Sequence, residues 1–302
     1  MRTVTSVFFV GASLLIACTA EDPNTSTASQ NVETFNKLAT NKLATNMLTA
    51  SSLLSTPDGR EVYSYLIGCA VPAGTTIEAT IPGAPDVPPS TANYTCSGGV
   101  CDFDGVVGLA PHWLDHTPTE RDLGWVSACL FARCNAHNTA EEISLRGDAS
   151  ALSVGVDEAA IYTLEEAAFY GDMFTPDNQP IDWNACLGRD KAAGNEGGLA
   201  DRDCAVEDPS NPGYTICGFK YAGHCGNYST QFPTPYACSQ FETDPNHASF
   251  YDSCYNSDVL GRAPTHHDDD HGDRDHINLG GHHDLEDDDN VYHQVITTFV
   301  AP

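Results

Sequence analysis

Between His266 and His293 the chain carries seven His, nine Asp and one Glu in 28 residues. Imidazole suits zinc, copper and nickel, and carboxylate suits calcium, magnesium and manganese. The mixture fits zinc best. The candidate ligands are His266, His267, Asp268, Asp270, His271, Asp273, Asp275, His276, His282, His283 and Asp284. No fixed ligand spacing runs through them. The EF-hand pattern fails, because Asp273-x-Asp275 is followed by Ile277 where an oxygen ligand is needed. With no aromatic before Tyr292, the segment has little means of burying itself and is expected to be disordered without metal. A β-branched stretch follows it, so it reads as a loop pinned at both ends. Clustered acids favour protonated His, so its charge should respond to pH near ~6–7. Two readings stay open: weak, several-site binding of zinc or another divalent cation, or a solvated low-complexity insertion.

Other chemistry-bearing residues give weaker signals. His112-Trp113-Leu114-Asp115-His116 is similar to the inverted zinc-protease motif H-x-x-E-H, with Asp for Glu. A helix starting at Thr117 would leave both histidines outside it, and the motif's geometry then fails. Cys134 and His137 would make a thiolate pair only if the thiol were exposed and its pKa lowered. Glu165-Glu166 and Asp201-Arg202-Asp203 read as solvated surface. No nucleophile elbow, P-loop or dinucleotide fingerprint is present.

Eleven of the twelve cysteines lie beyond residue 60 and read as a disulfide framework. The expected partners are Cys69, Cys96, Cys101, Cys129, Cys186, Cys204, Cys217, Cys225, Cys238 and Cys254; Cys134 is left as the unbridged thiol. Cys96 and Cys101 flank a Ser97-Gly98-Gly99 turn and are placed to bridge locally. The region from Cys186 to Cys254 is rich in Gly, Pro, Asn and Tyr, so bridges must supply stability that apolar burial cannot.

The oxidising context comes from the start of the chain. Arg2 precedes an apolar run from Val7 to Ile16, closed by Leu15-Ile16-Ala17-Cys18. That run is too short to span a bilayer, which takes ~20 residues, and reads as a secretory signal. Its end resembles the lipobox of bacterial lipoproteins. The resemblance implies cleavage before Cys18, lipidation of that cysteine, and a membrane-anchored protein of the cell envelope. Thr19 after the cysteine points to the outer membrane, periplasmic or surface-exposed. The remaining chain is strongly acidic, with 13 Lys plus Arg against 42 Asp plus Glu. Such a surface excludes nucleic acid as a partner.

These groups need elements to hold them. Residues 1–17 are read as signal and 18–57 as a flexible tether with a five-residue beat, Asn36-Lys37-Leu38-Ala39-Thr40 and its neighbours. Residues 58–302 are read as a single disulfide-rich domain with a disordered insertion at 262–293. Glu61–Val71, Pro72-Ala73-Gly74 and Thr75–Ile81 predict a hairpin. Thr117, Pro118 and Glu120 form a capping box that predicts a buried helix over 118–136. Cys129 and Cys134, five apart on it, point about 140° from each other and should not pair. Glu142–Arg146 and Gln294–Val300 predict strands. Thr163 and Glu166 form a second capping box, predicting a short helix over Leu164–Tyr170 with Gly171 as its stop. The expected class is α+β, mainly β-strands with one buried helix and a disulfide-stapled C-terminal half.

Tyr63-Ser64-Tyr65-Leu66-Ile67-Gly68-Cys69-Ala70-Val71-Pro72-Ala73-Gly74, Trp125-Val126-Ser127-Ala128-Cys129-Leu130 and Glu166-Ala167-Ala168-Phe169-Tyr170-Gly171 resemble segments of cysteine-rich lipoproteins of myxobacteria and their relatives. The resemblance spans roughly 36–260 and leaves out the His/Asp segment. It implies a surface lipoprotein and transfers no activity or site. The expected function is a lipid-anchored, non-enzymatic binding or structural protein. The alternatives are a divalent-metal-binding surface protein acting through the His/Asp loop, and a secreted hydrolase.

Overall fold

The computed structural model describes residues 53–88, 93–137, 141–174, 182–194, 198–226, 236–240, 249–255 and 291–302. Its first long element corrects the hairpin reading. Thr56 caps a helix, accepting from Gly59 N at 3.0 Å with Pro57 at the first position, and helix α1 runs Pro57–Ala70. Val62, Tyr63, Tyr65, Leu66 and Ile67 are all buried. Burial on nearly every side leaves no polar stripe, so a run rich in aromatic and branched residues imitates a strand. Strand β1 (Thr76–Thr80) forms as expected. It joins β2 (Tyr94–Ser97) and β3 (Val100–Asp104) in an antiparallel sheet of order β1-β3-β2. That sheet lies on α1, where Tyr63 meets Phe103 edge-on at 4.7 Å.

Helix α2 spans Glu120–Ala132, shorter at both ends than predicted. Thr119 is the cap: it accepts from Asp122 N at 3.2 Å, while Asp122 Oδ2 accepts from Thr119 N at 2.8 Å. Two overlapping boxes compete in Thr117–Asp122. The reciprocal one wins, and Pro118 is buried just outside the helix. The class is α+β as expected, with two long buried helices where one was foreseen. Short helices α3 (Val156–Ile161) and α4 (Arg189–Ala192) are peripheral.

The five-stranded sheet has order β4-β11-β5-β6-β7. Its strands are β4 (Ile143–Arg146), β5 (Leu164–Asp172), β6 (Asp182–Leu187), β7 (Lys220–His224) and β11 (Val295–Val300). The closing strand β11 sits inside the sheet, antiparallel to β4 and β5. Strand β5 overturns the second predicted helix. Leu-Glu-Glu-Ala-Ala is a helix-forming composition, but both flanking strands claim its backbone and burial overrides propensity. Gly171 lies within the strand, with φ of 121° and its Cα so close to β6 that a Cβ would meet the Asp182 carbonyl. Helix α2 covers one face of this sheet. The small sheet β8 (Cys238–Gln240), β9 (Tyr251–Tyr255) and β10 (Val291–Tyr292) shares a second buried cluster with Ala168, Tyr170 and Val295.

Ten cysteines form five disulfides: Cys69–Cys129, Cys96–Cys101, Cys186–Cys225, Cys204–Cys217 and Cys238–Cys254. The first joins α1 to α2. Cys96–Cys101 and Cys238–Cys254 link directly opposed strand residues. Cys134 stands outside the five; its thiol is buried and donates to Leu130 O at 3.5 Å.

Candidate binding pocket

Helix α2 ends because Arg133 takes its C-cap, its N–H reaching Cys129 O at 3.2 Å and Leu130 O at 3.3 Å. A cation is favoured at that end of a helix. The side chain then runs inward over α1 and is only 8% exposed. Its Cζ lies 4.5 Å from the Tyr65 ring centroid, and Nη1 lies 4.0 Å from Cys69 Sγ. Gly68 makes this passage possible, since a Cβ there would sit 2.9 Å from Nη1.

Above the guanidinium is a cavity of about 240 Å³. Val106 and Val107 form one wall, fixed to α1 because both donate to Gly68 O, at 3.2 and 2.8 Å. Ile143 and Leu145, alternate residues of β4, form another, and Leu152 and Val154 close the far side. Ser153 and Glu158 stand at the exposed rim. Val106 is 48% exposed, so this wall reaches solvent. Burial lowers the Arg133 pKa, and the nearby fields of Tyr65 and Glu61 oppose that only in part. Glu61 is itself raised by burial, against a hydrogen bond from Asn93 Nδ2 at 2.8 Å and the field of Arg133. Among the described residues no carboxylate forms an ion pair with Arg133.

Two other buried charged groups have direct hydrogen-bonding partners. Arg202 Nε meets Glu166 Oε2 at 2.8 Å, both essentially without exposure, and Arg202 Nη2 donates to Ala132 O at 2.8 Å. Glu165 is buried too, accepting from Tyr251 Oη at 2.7 Å and Arg189 N at 3.1 Å. This corrects the reading of Glu165, Glu166 and Arg202 as solvated surface. The β5–β11 register passes from Ala167↔Thr298 to Glu165↔Phe299, so Glu166 is the extra residue of a bulge. Glu166 turns to the α2 side of the sheet, through Arg202, while its neighbour Glu165 faces β9, as adjacent strand residues do. Asp203 receives Lys191 Nζ at 2.6 Å and also holds His137 Nε2. Burial alone would raise the Asp203 carboxyl, but these two hydrogen bonds outweigh it and hold it below its ordinary value.

His137 therefore turns to Asp203, and Cys134 is a buried thiol with none of the exposure a nucleophile needs. His112, Asp115 and His116 are exposed around a 3-10 turn, Pro111–Leu114, anchored by buried Trp113. Neither they nor Glu166 lines the Arg133 pocket. Cys186, Cys238 and Cys254 bring three sulfurs within 4.8 Å of one another, but all three are committed to disulfides, and a metal takes thiolate. Cys18 and the eleven candidate metal residues from His266 to Asp284 lie outside the described residues.

No family model matches the chain, and no curated protein or solved structure is significantly similar to it. The pocket residues were missed in the sequence. The one signal was Arg133 directly after Leu123–Ala132, a run without a charge.

Proposed function

We propose that this is a lipid-anchored, disulfide-stabilised envelope protein of non-enzymatic, binding type, and that the pocket over Arg133 receives its ligand. Five disulfides fit an oxidising compartment. Among the described residues no helix is long and apolar enough to cross a membrane, and the lipoprotein resemblance assigns attachment to lipid at Cys18.

 The single observation carrying the reading is the cavity itself, an apolar-walled hollow whose buried floor is polar, the usual make-up of a small-molecule site. Protein-observed NMR of the methyl groups tests it. Small apolar fragments should shift Val107, Leu145 and Leu152 together, saturably, and be recovered unchanged. Shifts scattered over the surface, or conversion of the fragment, would overturn the reading.

One observation favours a second reading for the acidic segment. Tyr255 at the end of β9 pairs with Val291 at the start of β10, so the stretch 256–290 leaves and re-enters the small sheet at one place. With its two ends held side by side, the His/Asp segment between them is the second candidate, for weak divalent-metal binding. Calorimetric zinc titration of the full chain should show micromolar sites that disappear when 266–290 is replaced by a Gly/Ser linker. Sites that survive the replacement would count against this segment as the metal site.

A further inference from the structure

We infer that the ligand of the Arg133 pocket is a monocarboxylate with a short, branched apolar body, a class that rests on the reading of this pocket as the binding site. A guanidinium offers five N–H donors in a rigid fork. Arg133 spends them on a sulfur at 4.0 Å and an aromatic face at 4.5 Å, neither of which is an anion. Arg202, also buried, has the Glu166 carboxylate and a backbone carbonyl. Burying a cation with no carboxylate in contact is costly, and the field of Glu61 offsets the burial of Arg133 only in part, so an incoming anion relieves that cost. Gly68 lets the guanidinium lie close against α1, where a Cβ would stand 2.9 Å from Nη1.

Shape and charge narrow the anion. A planar carboxylate matches the guanidinium fork with two parallel hydrogen bonds. Val106, Val107, Ile143, Leu145 and Leu152 require the rest of the ligand to be apolar. A cavity of ~150 Å³ holds benzene, so 240 Å³ takes a body slightly larger than that. Glu158 at the rim, on a chain of net charge −29, repels a second negative charge and disfavours phosphate esters and dicarboxylates.

The test titrates the full mature protein with 4-methylpentanoate, with the neutral 4-methylpentanamide, and with inorganic phosphate. The acid should bind about tenfold or more tightly than the amide, and phosphate should not compete. In Arg133→Met the acid should lose its advantage while the amide is unaffected. Gly68→Ala, which pushes a methyl group against Nη1, should weaken the acid selectively and serves if Arg133→Met does not fold. Acid and amide binding alike in the wild type would overturn the carboxylate class and leave the pocket standing. Phosphate binding as tightly as the acid would also overturn it. If neither the acid nor the amide binds, the pocket reading fails, and this inference with it.

Discussion

Glu166→Ala should destabilise the protein by about 3–5 kcal/mol, the cost of removing one partner from a buried ion pair. Arg202 has no exposure and would keep only the Ala132 carbonyl as a full partner. The pair is already incompletely satisfied, since Glu166 Oε1 and Arg202 Nη1 are buried without a hydrogen-bond partner. Its net contribution is therefore modest, and the loss comes from stranding the guanidinium. Combining Glu166→Leu with Arg202→Met removes both charges and should restore much of the stability. Urea unfolding of the three proteins checks this through their midpoints at constant slope. A double variant no more stable than Glu166→Ala would show that the pair itself, not the stranded charge, sets the cost.

Replacing Cys69 and Cys129 together with Ala should cost roughly 4 kcal/mol, from the loop-entropy relation for a sequence separation of 60. The same change at Cys96 and Cys101, separated by 5 and already held in a hairpin, should cost roughly 2 kcal/mol. The difference has a functional side. Cys69–Cys129 fixes α1 against α2, and Arg133 crosses from the end of α2 over Gly68 of α1. Loosening that crossing should weaken ligand binding as well as stability, whereas loss of the hairpin bridge should leave binding intact. Denaturant midpoints and fragment titrations on both double variants check the pair of effects. Equal losses of stability would contradict the ranking of the two bridges by loop length.

Legibility in the sequence followed the strength of local signals. Strands β1, β4 and β11 were readable because branched residues and turn residues coincide with their edges. Helix α2 was readable from its cap, although the competing Thr117 and Thr119 boxes shifted its start. The Cys96–Cys101 bridge followed from its turn. Helix α1 was not readable because burial on all sides erased its periodicity, and the Thr56-Pro57 cap was the only clue. Strand β5 was not readable because its residues favour helix and only tertiary pairing decides otherwise. The same failure hid Glu165 and Glu166. In a strand two adjacent carboxylates face opposite sides of the sheet, and their partners, Arg202 and Tyr251, lie 36 and 86 residues away. The pocket joins α1, α2, the segment after β3 and β4, so no single stretch of sequence announces it.

The proposed function requires a chain that crosslinks outside the cytosol and is held at a membrane by lipid. Intact mass spectrometry of protein from the membrane fraction, alkylated under denaturing conditions without reductant, tests this most directly. The expected result is a chain beginning at an acylated Cys18 and carrying one alkyl group, on Cys134, rising to eleven after reduction. A chain beginning at Met1, with all twelve cysteines alkylated before any reductant is added, would contradict it.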